Sequence, residues 1–310
     1  MNITKSLAYD QTKLIKQFVK ALLLYIRWFV CYFLKSPRLE SYIYKRNKEN
    51  IIFFKQVQND RVNKSDIHLR PYYPHSIPNV VWIYWAQGED QAPLVVQKCI
   101  ESWKVKNPSW QIIVLNENTI DEYVKIPKMS SKHPIRYKAN LLRLMLLKEY
   151  GGVWADATTF AHRPLNEWLP LLANSGIFMF NNPSKDRDIE NWFIAAEKNN
   201  PLINEWEYQL RKYYLAHQNE HPAYFLAFYI YQWMLTNNTH LKALHRSSSS
   251  LTAGQCFIMK SVINDHTNLN TLLALIESGL PVSKLDWRIE ISNTEFLRLI
   301  QKLERGRPYY

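Results

Sequence analysis

Beyond residue 75 the sequence alternates short apolar runs with longer amphipathic stretches, a pattern typical of α/β proteins. The run VVWIYW predicts a first strand over residues 80–85, and Pro93 opens a helix that extends to about Lys106. After a turn at Asn107, the run WQIIVL predicts a second strand. These three elements predict a βαβ unit.

The rest of the chain continues this alternation of helices and strands. Helices are predicted over residues 117–124, 138–149, 201–215, 223–235, 267–278 and 293–304, and strands over 153–155, 177–180 and 192–196. Four consecutive serines at 247–250 predict a flexible loop. The predicted fold class is therefore α/β.

The block YGGVWADATTF, residues 150–160, combines the end of a helix with a ligand-binding position. Only seven glycines occur in the chain, and two of them, Gly151 and Gly152, are adjacent here. Gly151 is placed to adopt a left-handed conformation that ends the preceding helix, and Gly152 lets the chain pass directly into a strand. Asp156 then emerges at the carboxyl end of that strand, where open α/β sheets bind ligands.

Two polar residues of the preceding helix share one face, because Asn140 and Arg143 are three residues apart. If that face looks toward the strand end, a carboxamide, a guanidinium and the Asp156 carboxylate converge there. The same spacing is compatible with a glycine-capped helix that carries a surface arginine and a turn-forming aspartate.

The N-terminal region is basic and aromatic. Residues 1–50 contain ten lysines and arginines against three acids, which accounts for +7 of the net charge of +12. Its longest apolar stretch is interrupted by charges and is shorter than the roughly 20 residues that a spanning helix needs. On a helix over residues 13–35, five cations fall within an arc of about 100°, opposite an apolar face: Lys13, Lys16, Lys20, Arg27 and Lys35.

We therefore predict two regions, a helical N-terminal extension over residues 1–75 and a main domain over 76–310. The helix at 13–35 is predicted to lie in a membrane interface and to bind an anionic membrane surface. A helix that packs on the protein's own core is the alternative. No nucleic-acid-binding motif accompanies the positive charge, so no nucleic-acid partner is predicted.

Composition narrows the remaining classes. With 47% hydrophobic residues the chain is expected to fold rather than to be disordered. Cys31, Cys99 and Cys256 lack the spacing of a disulfide framework or a thiolate metal site, which fits a reducing compartment. Since no signal-peptide pattern opens the sequence, we predict a cytoplasmic protein associated peripherally with the inner face of the membrane.

One motif points to a different enzyme class. HQNEH, from His217 to His221, fits the HxxEH pattern of zinc hydrolases. That pattern requires a continuous helix, whereas Pro222 disfavours helical geometry at His221. A polar loop between two helices is the preferred interpretation.

Four segments carry a resemblance to a known family. The first is IPNVVWIYWAQGEDQAPLVVQKCIESWKVKNPSWQIIVLNE; the others are LLRLMLLKEYGGVWADATTF, ENWFIAA and PVSKLDW, which span Ile77 to Trp287. Their order and spacing resemble the capsular polysaccharide synthesis proteins, a branch of the DXD sugar-binding glycosyltransferases. The resemblance implies a GT-A fold, which is Rossmann-like with a mixed central sheet. It also implies transfer of a hexose from a nucleotide-sugar donor, such as a UDP-sugar, to a glycan or lipid-linked acceptor in surface polysaccharide synthesis, with retention of configuration.

The resemblance also implies roles for individual residues. Trp85 matches a tryptophan that stacks on the donor base, and Gln87 belongs to the same donor-binding segment. Arg143 matches a contact to the donor sugar and phosphate, and Asp156 matches the first aspartate of DXD. Lys284 aligns with a segment near the diphosphate. A core aromatic at Trp85 and a solvated surface lysine at Lys284 are the alternatives from composition.

Two positions depart from the family pattern. Thr158 replaces the second acid of DXD, so a Mn²⁺ or Mg²⁺ ion held by Asp156 and Thr158 is expected to bind weakly. Asn140 replaces an aspartate that contacts the transferred sugar, and an amide cannot stabilise a developing positive charge. A membrane-bound scaffold with little catalytic activity is therefore the alternative to an enzyme.

Overall fold

The computed structural model describes residues 77–184, 187–218, 223–265 and 269–305. The predicted interfacial helix at 13–35 and the boundary at residue 75 lie outside the described residues and stay predictions. Within the described ranges, no helix is both long and apolar enough to cross a membrane.

Strands and helices alternate from residue 80 to residue 155 as the sequence pattern predicts, whereas five consecutive α-helices follow in the described chain between residues 201 and 277. The strands are β1 Val80–Tyr84, β2 Gln111–Leu115, β3 Gly152–Ala155, β4 Thr159–Ala161, β5 Ile177–Ser184, β6 Arg187–Ala196 and β7 Val282–Lys284. The helices are α1 Leu94–Lys106, α2 Ile135–Tyr150, α3 Leu165–Leu172, α4 Pro201–Ala216, α5 Leu226–Asn237, α6 Thr239–Ser247, α7 Ile258–Asp265, α8 Leu269–Glu277 and α9 Asn293–Arg305.

Five strands form a mixed central sheet in the order β2–β1–β3–β6–β5. The pairs β1–β2 and β1–β3 are parallel, whereas β3–β6 and β5–β6 are antiparallel. Val81 on the central strand pairs with Ile112 on one side and Val153 on the other. Because β1, β2 and β3 run in the same direction, their carboxyl ends meet at one edge of the sheet. The predicted α/β class with a mixed sheet is confirmed.

Helices cover both faces of this sheet. Val81 and Ile83 point into a core shared with α1, α3, α7, α8 and α9. Val80, Trp82 and Tyr84 point into the opposite core, which is shared with α2, α4 and α5. The near-continuous apolar character of β1 follows from burial on both faces, which is typical of a central parallel strand.

A second, two-stranded sheet lies beyond the end of β3. Its strands β4 and β7 are antiparallel, with Thr159 paired to Lys284 and Ala161 paired to Val282. The loop that follows Asp156 is thereby fixed against a segment from the end of the chain.

The glycine pair makes the turn that the sequence predicts, but by a different backbone geometry at Gly151. This residue ends α2 with φ 69° and ψ −159°, an extended conformation at positive φ that glycine alone adopts readily, rather than a left-handed helical one. Gly152 has φ 96°, and a Cβ atom on it would lie 2.5 Å from Val80 Cγ1 and 2.6 Å from the Val80 carbonyl oxygen. The close approach of β3 to β1 therefore requires glycine at this position.

One local prediction is wrong. The predicted helix at 117–124 is only a 3₁₀ turn at Ile120–Glu122, because the Asn116 side chain accepts hydrogen bonds from the amides of Asn118 and Thr119 and builds a turn instead. The loop predicted at the serines 247–250 begins after Ser247, the last residue of α6, and its flexibility stays a prediction. Ser249 is buried, and its hydroxyl donates to the Asn174 carboxamide oxygen at 3.3 Å.

Candidate active site

Asp156 lies immediately after β3, at the edge where the three parallel strands end. Its amide donates to the Trp192 carbonyl oxygen at 2.8 Å, and its carbonyl oxygen accepts from the Thr159 amide at 2.8 Å. These bonds fix the backbone between β6 and β4. The side chain is 28% exposed, so its carboxylate is accessible to a ligand.

Arg143 reaches this carboxylate from α2. Its Nη2 atom lies 3.4 Å from Asp156 Oδ1, while its side chain is only 6% exposed. The other guanidinium nitrogens donate to the carbonyl oxygens of Ala139 and Asn191. Burial lowers the pKa of Arg143, and the charges of Asp156 and Glu190 oppose that shift. The guanidinium is thus held in one orientation by its own helix, by β6 and by Asp156.

Trp154 supports both members of this pair. Its indole nitrogen donates to Asp156 Oδ1 at 2.9 Å, and the Arg143 guanidinium carbon lies 5.0 Å from its ring centroid. Trp154 and Asp156 are two residues apart, so they point to the same side of the extended chain. That spacing was a signal for Trp154 that the sequence analysis missed.

Lys284 approaches Asp156 from the opposite side. Its ammonium lies 3.7 Å from Asp156 Oδ2 and donates to the Thr158 hydroxyl and to the Leu285 carbonyl oxygen. The side chain is 16% exposed, so the interpretation as a solvated surface lysine is wrong. The antiparallel pairing of β4 with β7 brings Lys284 to this place.

Asn140 lies one turn before Arg143 on α2 and is buried. Its carboxamide oxygen accepts from Asn191 Nδ2 at 3.2 Å. The Tyr214 hydroxyl lies beside Asn140, although it makes no hydrogen bond of normal geometry. Asn191 lies on β6 and reaches α2 only because the two elements pack together in the fold. No local sequence pattern predicted that Asn191 belongs to the site.

Trp85 follows the end of β1, on the same edge of the sheet as Asp156. It is half-buried, its indole nitrogen has no hydrogen-bond partner, and its ring meets Trp287 edge-to-face with centroids 6.1 Å apart. Trp287 is 49% exposed and follows Lys284 by three residues. Gln87 is exposed in the same loop as Trp85. The loop after β7 therefore connects the charged residues around Asp156 with the half-buried Trp85 ring and the exposed Trp287 ring.

Asp156 and Thr158, the two residues expected to hold a metal, do not form a multidentate site. Both side chains are in contact with the Lys284 ammonium. Among the described residues, no group of three or more histidine, cysteine, aspartate or glutamate side chains could hold a metal ion.

The zinc-hydrolase motif is not on a continuous helix. Helix α4 ends at Ala216, and His217 forms its C-cap. The His217 ring stacks on Tyr213 with centroids 3.9 Å apart, and its Nδ1 contacts the Tyr213 carbonyl oxygen at 2.8 Å. The motif residues 219–221 lie outside the described residues.

The sheet order, its parallel half and the polar residues at its carboxyl edge define an α/β protein with a candidate ligand site at that edge. A family model described as "Capsular polysaccharide synthesis protein" matches residues 29–303, and the chain belongs to this family. The match begins well before the segment that carried the resemblance in the sequence analysis, and it includes part of the N-terminal region.

Individual curated proteins resemble this chain over only part of their length. HOC1 of Saccharomyces cerevisiae is 27% identical over 190 residues, which are 51% of this chain and 48% of that protein. The "Initiation-specific alpha-1,6-mannosyltransferase" of Candida albicans is 27% identical over 103 residues, 30% of this chain and 27% of that protein. This chain thus spans about half, or less, of the length of these relatives. A solved structure, "PaToxG Glycosyltransferase", has a TM-score of 0.37 and 16% identity, with coverage of 86% of this chain and 96% of that chain.

Proposed function

We propose that this protein is a glycosyltransferase that takes a sugar from a nucleotide-diphosphate donor, with UDP as the preferred nucleotide. The acceptor is a glycan or a lipid-linked glycan of a surface polysaccharide. The observation that carries the proposal is the contact of Asp156 with Arg143 and Lys284 at the carboxyl edge of the sheet. Membership of the capsular polysaccharide synthesis family supports the same reading.

The reaction breaks the bond between the anomeric carbon and the diphosphate oxygen. Negative charge then accumulates on the departing phosphate, and fixed cations stabilise it best when they need no reorganisation. Lys284 is the more accessible of the two cations, and Arg143 is held rigidly behind Asp156. We assign the diphosphate to these cations, the base to Trp85 and Gln87, and the transferred sugar to Asp156 and Asn140.

The acceptor hydroxyl attacks from the face that the diphosphate leaves. Its oxygen forms the new bond to the anomeric carbon, and its proton passes to the departing phosphate. Configuration is retained in this scheme, and no protein nucleophile is needed. Precise positioning of donor and acceptor supplies much of the rate.

The residues present do not fit a resident divalent ion. One carboxylate and one hydroxyl supply too few hard oxygen ligands unless the donor phosphates complete the coordination, and the Lys284 ammonium already contacts both side chains. No step of the scheme therefore runs through a metal, and the weak Mn²⁺ or Mg²⁺ site expected from the sequence finds no support in this donor set.

We also place the protein on the inner face of the membrane, where a lipid-linked acceptor is presented. The basic arc of the predicted helix at 13–35 supports this location.

A panel of nucleotide sugars in thermal-shift and donor-hydrolysis assays tests the function. One UDP-sugar should raise the melting temperature and be hydrolysed slowly to UDP, and both effects should persist in excess chelator. A protein that binds no nucleotide sugar is not this enzyme. Binding without hydrolysis or transfer would instead support the scaffold, and activity that requires added Mn²⁺ would contradict the role given to Lys284.

A further inference from the structure

Arg136 lies on α2, nearer the N-terminus of the helix than the candidate-site residues Asn140 and Arg143. Arg136, Asn140 and Arg143 follow the i, i+4, i+7 pattern of a single helix face. Helix α2 leads through Gly151 into β3, so it runs back from the carboxyl edge of the sheet, and its first turn projects beyond Asp156. With a rise of about 1.5 Å per residue, Arg136 lies about 10 Å further out along the helix axis than Arg143.

The Arg136 guanidinium is exposed but positioned by aromatic rings. Its carbon lies 4.9 Å from the centroid of Tyr137 and 5.1 Å from that of Tyr224. Tyr224 is 63% exposed and meets Phe225 edge-to-face at 4.8 Å. Arg187 lies 4.1 Å from the Phe225 centroid on the far side. We call Arg136, Tyr224, Phe225 and Arg187 the arginine–aromatic row.

Two buried tyrosine rings connect this row to the candidate site. Tyr137 stacks on Tyr214 with centroids 5.2 Å apart, and the Tyr214 hydroxyl lies beside Asn140. Tyr214 is 1% exposed, and its hydroxyl makes no hydrogen bond of normal geometry. Burial raises the pKa of Tyr214, so this group remains a neutral hydroxyl able to donate. Packing of these buried rings therefore fixes the position of Arg136 relative to Asn140.

The chemistry of the row favours a phosphate. A guanidinium presents parallel donors that match phosphate oxygens, and ring stacking orders it in advance. Among the described residues, no carboxylate forms an ion pair with Arg136. Helix α2 begins at Ile135 without a side-chain cap, so its free amides add positive potential at the same place.

We propose that Arg136 and the arginine–aromatic row form an acceptor subsite for a phosphate or diphosphate group. This inference rests on the proposed function, since the transferred sugar then lies between Asp156 and the row. The acceptor is accordingly a phosphorylated sugar, either free or linked through its phosphate to a lipid. Two sources share this chemistry, and the experiment separates them.

Calorimetric titration of inorganic pyrophosphate into the full chain, with its donor site saturated by UDP, tests the subsite. Arg136→Ala should weaken pyrophosphate binding about 10- to 100-fold, because a charge-assisted contact is lost. Arg136→Lys should bind pyrophosphate with an affinity between those of wild type and Arg136→Ala, since lysine keeps the charge but lacks the forked donors of a guanidinium. Lys212→Ala is the matched control: this exposed cation lies 5.9 Å from the Tyr208 ring on α4, and its loss should change nothing.

Vesicles of a zwitterionic lipid, with and without a polyprenyl diphosphate, identify the source. A lipid-linked acceptor is supported if wild type binds more tightly than Arg136→Ala to the vesicles that contain polyprenyl diphosphate, but not to the vesicles that lack it. Arg136-dependent binding of pyrophosphate without that difference supports a free sugar phosphate. Equal pyrophosphate affinity in wild type and Arg136→Ala overturns the subsite even when UDP binds normally. Absence of UDP binding in wild type counts against the proposed function instead.

Discussion

A single carboxylate, Asp156, contacts two cations that arrive from different parts of the chain. Asp156→Asn keeps an oxygen that can accept from Trp154 but removes the charge that faces Arg143 and Lys284. We expect donor hydrolysis to fall by at least about 100-fold, as happens when one preorganised group is lost from an active site. The buried guanidinium also loses its partner, which should lower the free energy of unfolding by about 1–3 kcal/mol.

Asp121→Asn is a closely matched control. Asp121 lies 3.4 Å from Lys125, the distance that separates Asp156 from Arg143, but both members of that pair are exposed. Its loss should cost less than about 1 kcal/mol and leave hydrolysis unchanged. Near-normal hydrolysis in folded Asp156→Asn would remove Asp156 from the site.

Trp85 offers a second test at the residue scale, because its ring is only half-buried at the sheet edge. Trp85→Ala should weaken UDP binding by about 1–3 kcal/mol, the usual contribution of base stacking on an aromatic ring. Trp233→Ala, another half-buried tryptophan whose indole nitrogen has no hydrogen-bond partner, should leave UDP affinity unchanged. An unaltered UDP affinity in Trp85→Ala would mean that Trp85 is a core aromatic and does not stack on the base.

At the scale of elements, Gly152 at the start of β3 determines how closely this strand approaches β1. Gly152→Ala would place a Cβ atom 2.6 Å from a backbone oxygen of Val80, so the clash cannot be relieved by rotating a side chain. Gly88→Ala has a similar φ of 91° but meets nothing nearer than Asn116 Nδ2 at 3.6 Å.

The comparison separates steric clash from backbone strain. Gly88→Ala should lose about 1–3 kcal/mol through strain alone. Gly152→Ala should lose clearly more, or fail to fold, when urea-denaturation midpoints are compared. Equal midpoints for the two variants would show that the space around Gly152 is not limiting.

Elements with a clear apolar period were predictable, and those that depend on tertiary pairing were not. Five elements were predictable because they carry their own hydrophobic signal: β1, α1, β2, β3 and the main part of α2. The predicted strands at β5 and β6 were too short, since the outer residues of this hairpin are mostly polar, as in Arg187–Asn191. Helix α3 was not predicted because Pro170 lies inside it.

The residues of the candidate site also divide into those that local sequence could indicate and those that depend on tertiary pairing. Local spacing allowed Asn140, Arg143 and Asp156 to converge and the family resemblance favoured it; in the structure Arg143 contacts Asp156, and Asn191 links Asn140 to Arg143. The position of Lys284 beside Thr158 depends on the pairing of β4 with β7, which no periodicity in three-residue strands can predict. Asn191 likewise reaches Arg143 only because β6 lies beside β3.

At the scale of the whole molecule, the uneven charge predicts where the protein works. Replacing Lys13, Lys16 and Lys20 with glutamine should reduce flotation with anionic vesicles by about 100-fold in affinity, at about 1 kcal/mol for each cation near the surface. Replacing Lys45, Arg46 and Lys48 removes the same number of charges outside the predicted helix and should have a smaller effect.

Neutral vesicles complete that experiment. Residual flotation with them measures the contribution of the apolar face alone. If both triple variants float as wild type does on anionic vesicles, the helix at 13–35 packs on the protein itself.

The pairing of β4 with β7 also sets an order of events during synthesis. Lys284 and Thr158 are 126 residues apart, and every strand of the central sheet precedes β7 in the chain. A nascent polypeptide that has left the ribosome as far as β6 can therefore complete the sheet while Asp156 still lacks one of its two cations. The candidate site around Asp156 is therefore complete only once β7 has also left the ribosome and paired with β4.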